Sequence, residues 1–130
     1  MTDQTPHQWD LLLIVTNDRY GSDRFDTVRR LIDTALRNGR SVQVWACGEV
    51  NGLTEVAPVE SCCANGEPST AEQISGLVAE HDGRFNWLAC RTCSEERGAG
   101  EHIPGLPTPS FANLGEYVNR SAKTVFIGGV

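Results

Sequence analysis

The stretch WDLLLIV, residues 9–15, decides the architecture. Its apolar run from Leu11 to Val15 is continuous rather than alternating and lies between Asp10 and the polar Thr16-Asn17-Asp18, so it reads as a strand buried on both faces. The run is too short for a membrane span or the apolar centre of a secretion signal. The next β-branched run is SVQVWAC, residues 41–47. Between the two, Phe25, Val28, Leu31, Ile32, Ala35 and Leu36 recur at steps of three and four, the spacing of one helical face, and Gly39 supplies a stop. Strand, helix and strand in this order make a βαβ unit with parallel strands.

The same pattern continues along the chain. A helix near 70–81, with Ile74, Leu77 and Val78 on one stripe, leads into the strand FNWLAC, residues 85–90. A further helix at about 111–121 leads into TVFIGG, residues 124–129. Strands alternating with helices imply an α/β domain of three layers, a parallel sheet flanked by helices. Trp45 and Trp87 alternate with apolar neighbours and are expected to pack against those helices or a second subunit. Two segments have the composition of loops: residues 57–69, with Pro58, Pro68 and the adjacent Cys62 and Cys63, and residues 98–110, with three prolines and three glycines. No repeat or linker divides the chain, so residues 1–130 are expected to form a single domain, with 1–8 as a flexible N-terminal tail.

At 39% apolar and 22% charged residues, the composition is that of an ordinary globular domain. A net charge of -6 without a long basic run gives little attraction for phosphate backbones or anionic membranes, so neither nucleic acid nor membrane is expected as a direct partner. A cytoplasmic location follows from the same reading. Five cysteines there stay mostly reduced, and an odd number cannot all pair within the chain. That shifts attention from disulfides to thiol chemistry.

In open parallel sheets, ligands bind beyond the carboxyl ends of the strands. The first expected strand ends at Thr16-Asn17-Asp18, the second at Cys47 and the third at Cys90. After Cys90, TCSE (92–95) has the capping-box pattern, with Thr92 as cap and Glu95 reaching back, so a helix is expected to begin at Cys93. Cys90 then stands just ahead of a helix N-terminus. Backbone N–H groups, Arg91 and Arg97 favour its thiolate there, while Glu95 and Glu96 oppose it, and the expected net result is a lowered pKa.

Other readings compete with this one. Reduced cysteines are often inert core residues, which is the expectation for Cys47 and an open alternative for Cys90 and Cys93. A structural zinc site needs four ligands, normally as two spaced pairs. Here Cys90 and Cys93 form the one Cys-x-x-Cys, Cys62 and Cys63 are adjacent, and His102 stands alone, so no metal site is expected. A thioredoxin-type pair would follow an early strand rather than the third. Asn17, Asp18 and Ser22 suit a substrate oxyanion but suit a turn and a helix cap better. His81 and His102 read as surface residues, because neither has a sequence partner that suggests a triad.

The opening LLLIVTNDRYGSDRFDTVRRLIDTALRNGRSVQVWACGEV, a central strand ending in a cysteine ahead of Glu-Arg-Gly, and the closing LGEYVNRSAKTVFIGG together resemble the DsrE/DsrF/TusD group of small sulfurtransferases. In that group the carrier cysteine stands eight residues before the glycine of an Arg-Gly step, a relation that Cys90 has to Arg97-Gly98. The resemblance implies a DsrE-like fold of flavodoxin-like topology and a sulfur carrier that holds sulfane sulfur as a persulfide on Cys90. From the residues themselves, Cys93, one helical step from Cys90, is expected to accept the sulfur or release it by forming a disulfide, with Arg91 and Asn17 beside the substrate. Cys62 and Cys63 are additional thiols to which the family pattern gives no role. The implied partners are sulfur donor and acceptor proteins or small sulfane-sulfur compounds, in a homo- or hetero-oligomer (dimer, trimer or hexamer), and no cofactor is required. A non-catalytic assembly subunit of a sulfur-relay complex and a metal-binding thiol protein are the alternatives.

Overall fold

Strand β1 (Trp9–Val15) is central to the sheet, and its residues Leu12 to Val15 are all buried. The computed structural model describes residues 8–16, 24–47, 70–96, 102 and 105–127. Chain order after β1 is α1 (Arg24–Arg37), β2 (Val42–Ala46), α2 (Thr70–Glu80), β3 (Phe85–Ala89), α3 (Arg91–Glu96), a 3-10 turn at Phe111–Asn113, α4 (Leu114–Asn119) and β4 (Ser121–Ile127). The four strands lie in the order β3-β2-β1-β4, and every pairing is parallel.

The two faces of the sheet follow from strand parity, since successive side chains point to opposite sides. Leu13 and Val15 of β1, Val42 and Val44 of β2, and Phe85 and Trp87 of β3 pack with Val28, Ile32 and Leu36 of α1 and Ile74 and Leu77 of α2. On the other face Leu12, Ile14, Trp45, Cys47, Leu88 and Cys90 pack with Cys93, Leu114 and Tyr117, contributed by α3 and α4. This gives the three expected layers and separates Trp45 from Trp87: Trp87 lies under α1 and α2, and Trp45 meets the ring of Tyr117 edge-on at 5.4 Å.

The stop after α1 is chemical as well as compositional. Gly39, at φ 76°, takes the left-handed conformation. Its N–H donates to the Leu36 carbonyl and that of Arg40 to the Ala35 carbonyl, the paired bonds of a Schellman motif. Arg84 then reaches across from the start of β3 and donates to the Leu36 carbonyl at 2.7 Å.

Four expectations are corrected here. The order differs from a flavodoxin-like sheet, in which β3 lies beside β1. Here the second crossover continues in the direction of the first, so β3 lies outside β2 and β4 takes the place beside β1. The last helix is shorter than 111–121, because its first turn is 3-10, and the last strand begins at Ser121 rather than 124. Gln8, assigned to a flexible tail, donates its N–H to the Arg120 carbonyl at 2.9 Å.

The helix face of α1 supplies a direct test. Ile32 is 1% exposed and Leu31 is 42% exposed. Ile32→Ala should destabilise the chain by about 3 kcal/mol through the cavity it opens, and Leu31→Ala by less than about 0.5 kcal/mol, as measured by urea unfolding.

Candidate functional site

Parallel pairing of β2 and β3 brings two cysteines side by side. The ladder matches Ala46 with Ala89, so Cys47 and Cys90 are the next residues on adjacent strands and share the α3/α4 face. Their backbones are still held: the Cys47 N–H donates to the Val15 carbonyl at 2.9 Å, and the Cys90 N–H to the Ala46 carbonyl at 3.2 Å. Adjacent strands stand about 4.8 Å apart, a spacing that puts two such thiols near contact.

The third thiol comes from α3, which starts directly at the end of β3. The Ser94 N–H donates to the Cys90 carbonyl at 3.1 Å, the first bond of the helix, so Cys90 is the cap residue. Its sulfur accepts from the backbone N–H groups of Cys93 and Thr92, as an N-cap oxygen would. The sequence pattern had Thr92 as cap and Cys93 as the first helical residue. Instead the Thr92 hydroxyl oxygen accepts from the Phe111 N–H at 3.0 Å, and Glu95 stands 3.9 Å from Arg91 rather than reaching back. A tertiary partner has taken the oxygen on which the capping box depended, and the helix starts two residues earlier.

Starting the helix there turns Cys93 toward the sheet. Its Sγ lies 3.5 Å from Cys47 Sγ, which also accepts from Trp45 Nε1 at 3.2 Å. The sulfurs of Cys47, Cys90 and Cys93 all lie within 4.8 Å of one another. Cys90 is 0% exposed and Cys47 9%, while Cys93 is half-buried. All three are free thiols.

Burial decides the electrostatics. It pushes the Cys47 thiol up from 9.0 to about 12, reinforced by the contact with Cys93 and the nearby Cys90 and opposed by the indole N–H of Trp45. Burial also pushes the Cys90 thiol up, against the backbone N–H groups of Cys93 and Thr92. The lowered pKa expected for Cys90 is therefore overturned: the capping donors are present, but desolvation outweighs them.

Arg91 is exposed and faces Glu95 along its own helix. Asn17, Cys62, Cys63 and Arg97 lie outside the described residues. Ser94 and His102 are contributors that sequence reading missed. The Ser94 hydroxyl donates to the Cys90 carbonyl at 3.1 Å and stands 2.8 Å from His102 Nε2, which ties His102 to the first turn of α3. His102 is half-buried rather than a surface residue. Cys47, expected to be plain core, is buried as expected but turns its sulfur into the cluster.

Comparison with known proteins gives the fold. No family model matches the chain, and no curated protein matches it in sequence. Among solved structures, the crystal structure of the ychN protein from E. coli superposes with a TM-score of 0.65 over 91% of this chain and 98% of that one, at 17% identity. The likeness shows a shared fold, a parallel sheet flanked by helices as expected from the sequence. Among the described residues no helix is long and apolar enough to cross a membrane.

The buried thiols carry a pH signature. A thiol whose folded-state pKa is raised keeps its proton while the unfolded chain loses it, so stability is unaffected below the ordinary value and falls above it. For Cys47 the window runs from pH 9.0 to about 12. Within it, unfolding free energy should drop by about 1.4 kcal/mol per pH unit from this one group. Denaturant unfolding at a series of pH values should show a shallower alkaline decline in Cys47→Ala; equal declines would contradict the burial assigned to that thiol.

Proposed function

We propose that the chain is a sulfur carrier, a sulfurtransferase that takes sulfane sulfur from a donor, holds it as a cysteine persulfide on Cys90 and yields it to an acceptor thiol. The observation that supports this reading most is the convergence of three free thiols at the carboxyl end of the sheet, within 4.8 Å of one another. The fold shared with the ychN protein is consistent with the family resemblance of the sequence.

Accessibility orders the steps. Cys93 is the most exposed of the three thiols and receives the sulfur first. Its thiolate attacks the outer sulfur of a donor R–S–SH, a Cys93–S–SH bond forms, and R–S⁻ leaves and takes up the proton. Cys90 then attacks that outer sulfur, the Cys93 thiolate departs, and the persulfide comes to rest where the backbone N–H groups of Thr92 and Cys93 face it. An acceptor thiolate removes the sulfur by the same displacement. Each step exchanges one S–S bond for another, so no external oxidant or cofactor enters. Assembly into an oligomer belongs to the same proposal and is supported by Val125 and Phe126 on the edge strand β4, which are 42% and 65% exposed.

Intact mass after incubation of the reduced chain with a polysulfide tests the reading. The mass should rise by one sulfur atom, reversibly on addition of a reducing thiol. Cys93→Ser should load at least about tenfold more slowly, as expected when the exposed nucleophile is lost. Cys90→Ser should load quickly on Cys93 but surrender its sulfur faster than the native chain. Undiminished loading in the double variant Cys90→Ser/Cys93→Ser would sink the assignment, and a native chain that takes up no sulfur would select the non-catalytic assembly subunit.

A further inference from the structure

The geometry of the three sulfurs points to a second capacity: we propose that Cys47, Cys90 and Cys93 form a site for one monovalent copper ion, Cu(I), bound in three-coordinate, all-sulfur geometry. Three thiolates about 2.3 Å from a common d10 ion in a planar triangle stand about 4.0 Å from one another. The sulfurs of Cys47 and Cys93 stand 3.5 Å apart and all three lie within 4.8 Å of one another, a range that contains that value.

The donor set selects the ion. All three ligands are thiols, and soft thiolates favour Cu(I), zinc and iron–sulfur clusters over harder ions. Zinc takes four protein ligands in a closed structural site, and among the described residues no fourth histidine, cysteine or carboxylate joins the group. Cu(I) is satisfied by three sulfurs in a plane.

The surroundings fit a bound cation with excess thiolate charge. Each ligand has a fixed backbone: Cys47 and Cys90 are tied to neighbouring strands, and Cys93 lies in the first turn of a helix that begins at Cys90. Trp45 Nε1 donates to Cys47 Sγ at 3.2 Å, and the N–H groups of Thr92 and Cys93 donate to the Cys90 sulfur. These outer donors offset the negative charge of the thiolates and fix their orientation. Cys90 at 0% and Cys47 at 9% exposure keep water from the interior side, and half-buried Cys93 leaves a side from which the ion can enter. Coordination releases the thiol protons to solvent, and copper remains Cu(I), so no electron is transferred.

Sequence spacing discouraged a metal reading because Cys-x-x-Cys lacked a second spaced pair. The third ligand comes from the neighbouring strand, a relation that only the β2–β3 register supplies. The copper proposal does not rest on sulfur transfer, since either capacity can fail while the other holds.

The test is anaerobic titration of the reduced full chain with Cu(I) against a chromophoric Cu(I) chelator, with X-ray absorption of the product. One Cu(I) per chain should be withheld from the chelator, with three sulfur neighbours and no nitrogen or oxygen. Cys47→Ser, Cys90→Ser and Cys93→Ser should each weaken binding by about 100-fold or more, beyond what loss of a supporting group costs. Cys62→Ser/Cys63→Ser should bind as the native chain does. If Cys90→Ser does not fold, Cys93→Ser, at a half-buried helical position, decides alone. Native affinity in Cys93→Ser, loss of binding in Cys62→Ser/Cys63→Ser, or a chelator that strips the native chain would each overturn the proposal.

Discussion

The parallel register between β2 and β3 is the constraint on which the site depends. Because Ala46 pairs with Ala89, both strands end at the same height with a cysteine next in each, and the two thiols share one face. A slip of one residue would turn every side chain of one strand over, carrying Cys90 to the α1/α2 face and Phe85 and Trp87 away from it. Since Trp87, Phe85, Val44 and Val42 are all buried in the α1/α2 layer, the register is secured by the core rather than by the thiols. The chemistry is placed by packing that has no chemical role itself.

The early start of α3 adds the third group. Were the helix to begin at Cys93, with Thr92 as its cap, Cys90 would precede the helix and the two sulfurs would not share a turn. The Phe111 N–H occupies the Thr92 hydroxyl oxygen, and the Ser94 hydroxyl, itself met by His102, closes on the Cys90 carbonyl, so the helix begins at the end of the strand. Local capping preference gave way to tertiary hydrogen bonds worth about as much each. The segment after α3 therefore shapes the site although its own residues are not thiols.

What the sequence disclosed and what it concealed follow from range. The βαβ unit, the α1 helix ending at Gly39 and the buried β1 run are local patterns, and they hold, although Leu31, read into the apolar stripe of α1, is 42% exposed. Strand order was beyond such patterns, because β4 takes its place beside β1 through pairing with the most distant part of the chain. Cys90 and Cys93 were legible from their spacing. Cys47 was legible only as a strand residue, since its relation to Cys93 is a contact across 46 positions. The sign of the Cys90 shift failed for a related reason: capping donors can be read from neighbouring residues, but desolvation depends on what the rest of the fold lays over the sulfur.

The contact between Trp45 and Cys47 has an optical consequence. An indole whose N–H is bonded to a sulfur at 3.2 Å is open to quenching by that sulfur, and its ring is held against Tyr117 in a layer separate from Trp87. A change in the chemical state of Cys47 alters the partner of the Trp45 N–H, whereas Trp87 packs in the other layer. The fold thus contains an intrinsic fluorescent reporter beside its thiols, set apart from Trp87 across the sheet and from Trp9 at the start of β1.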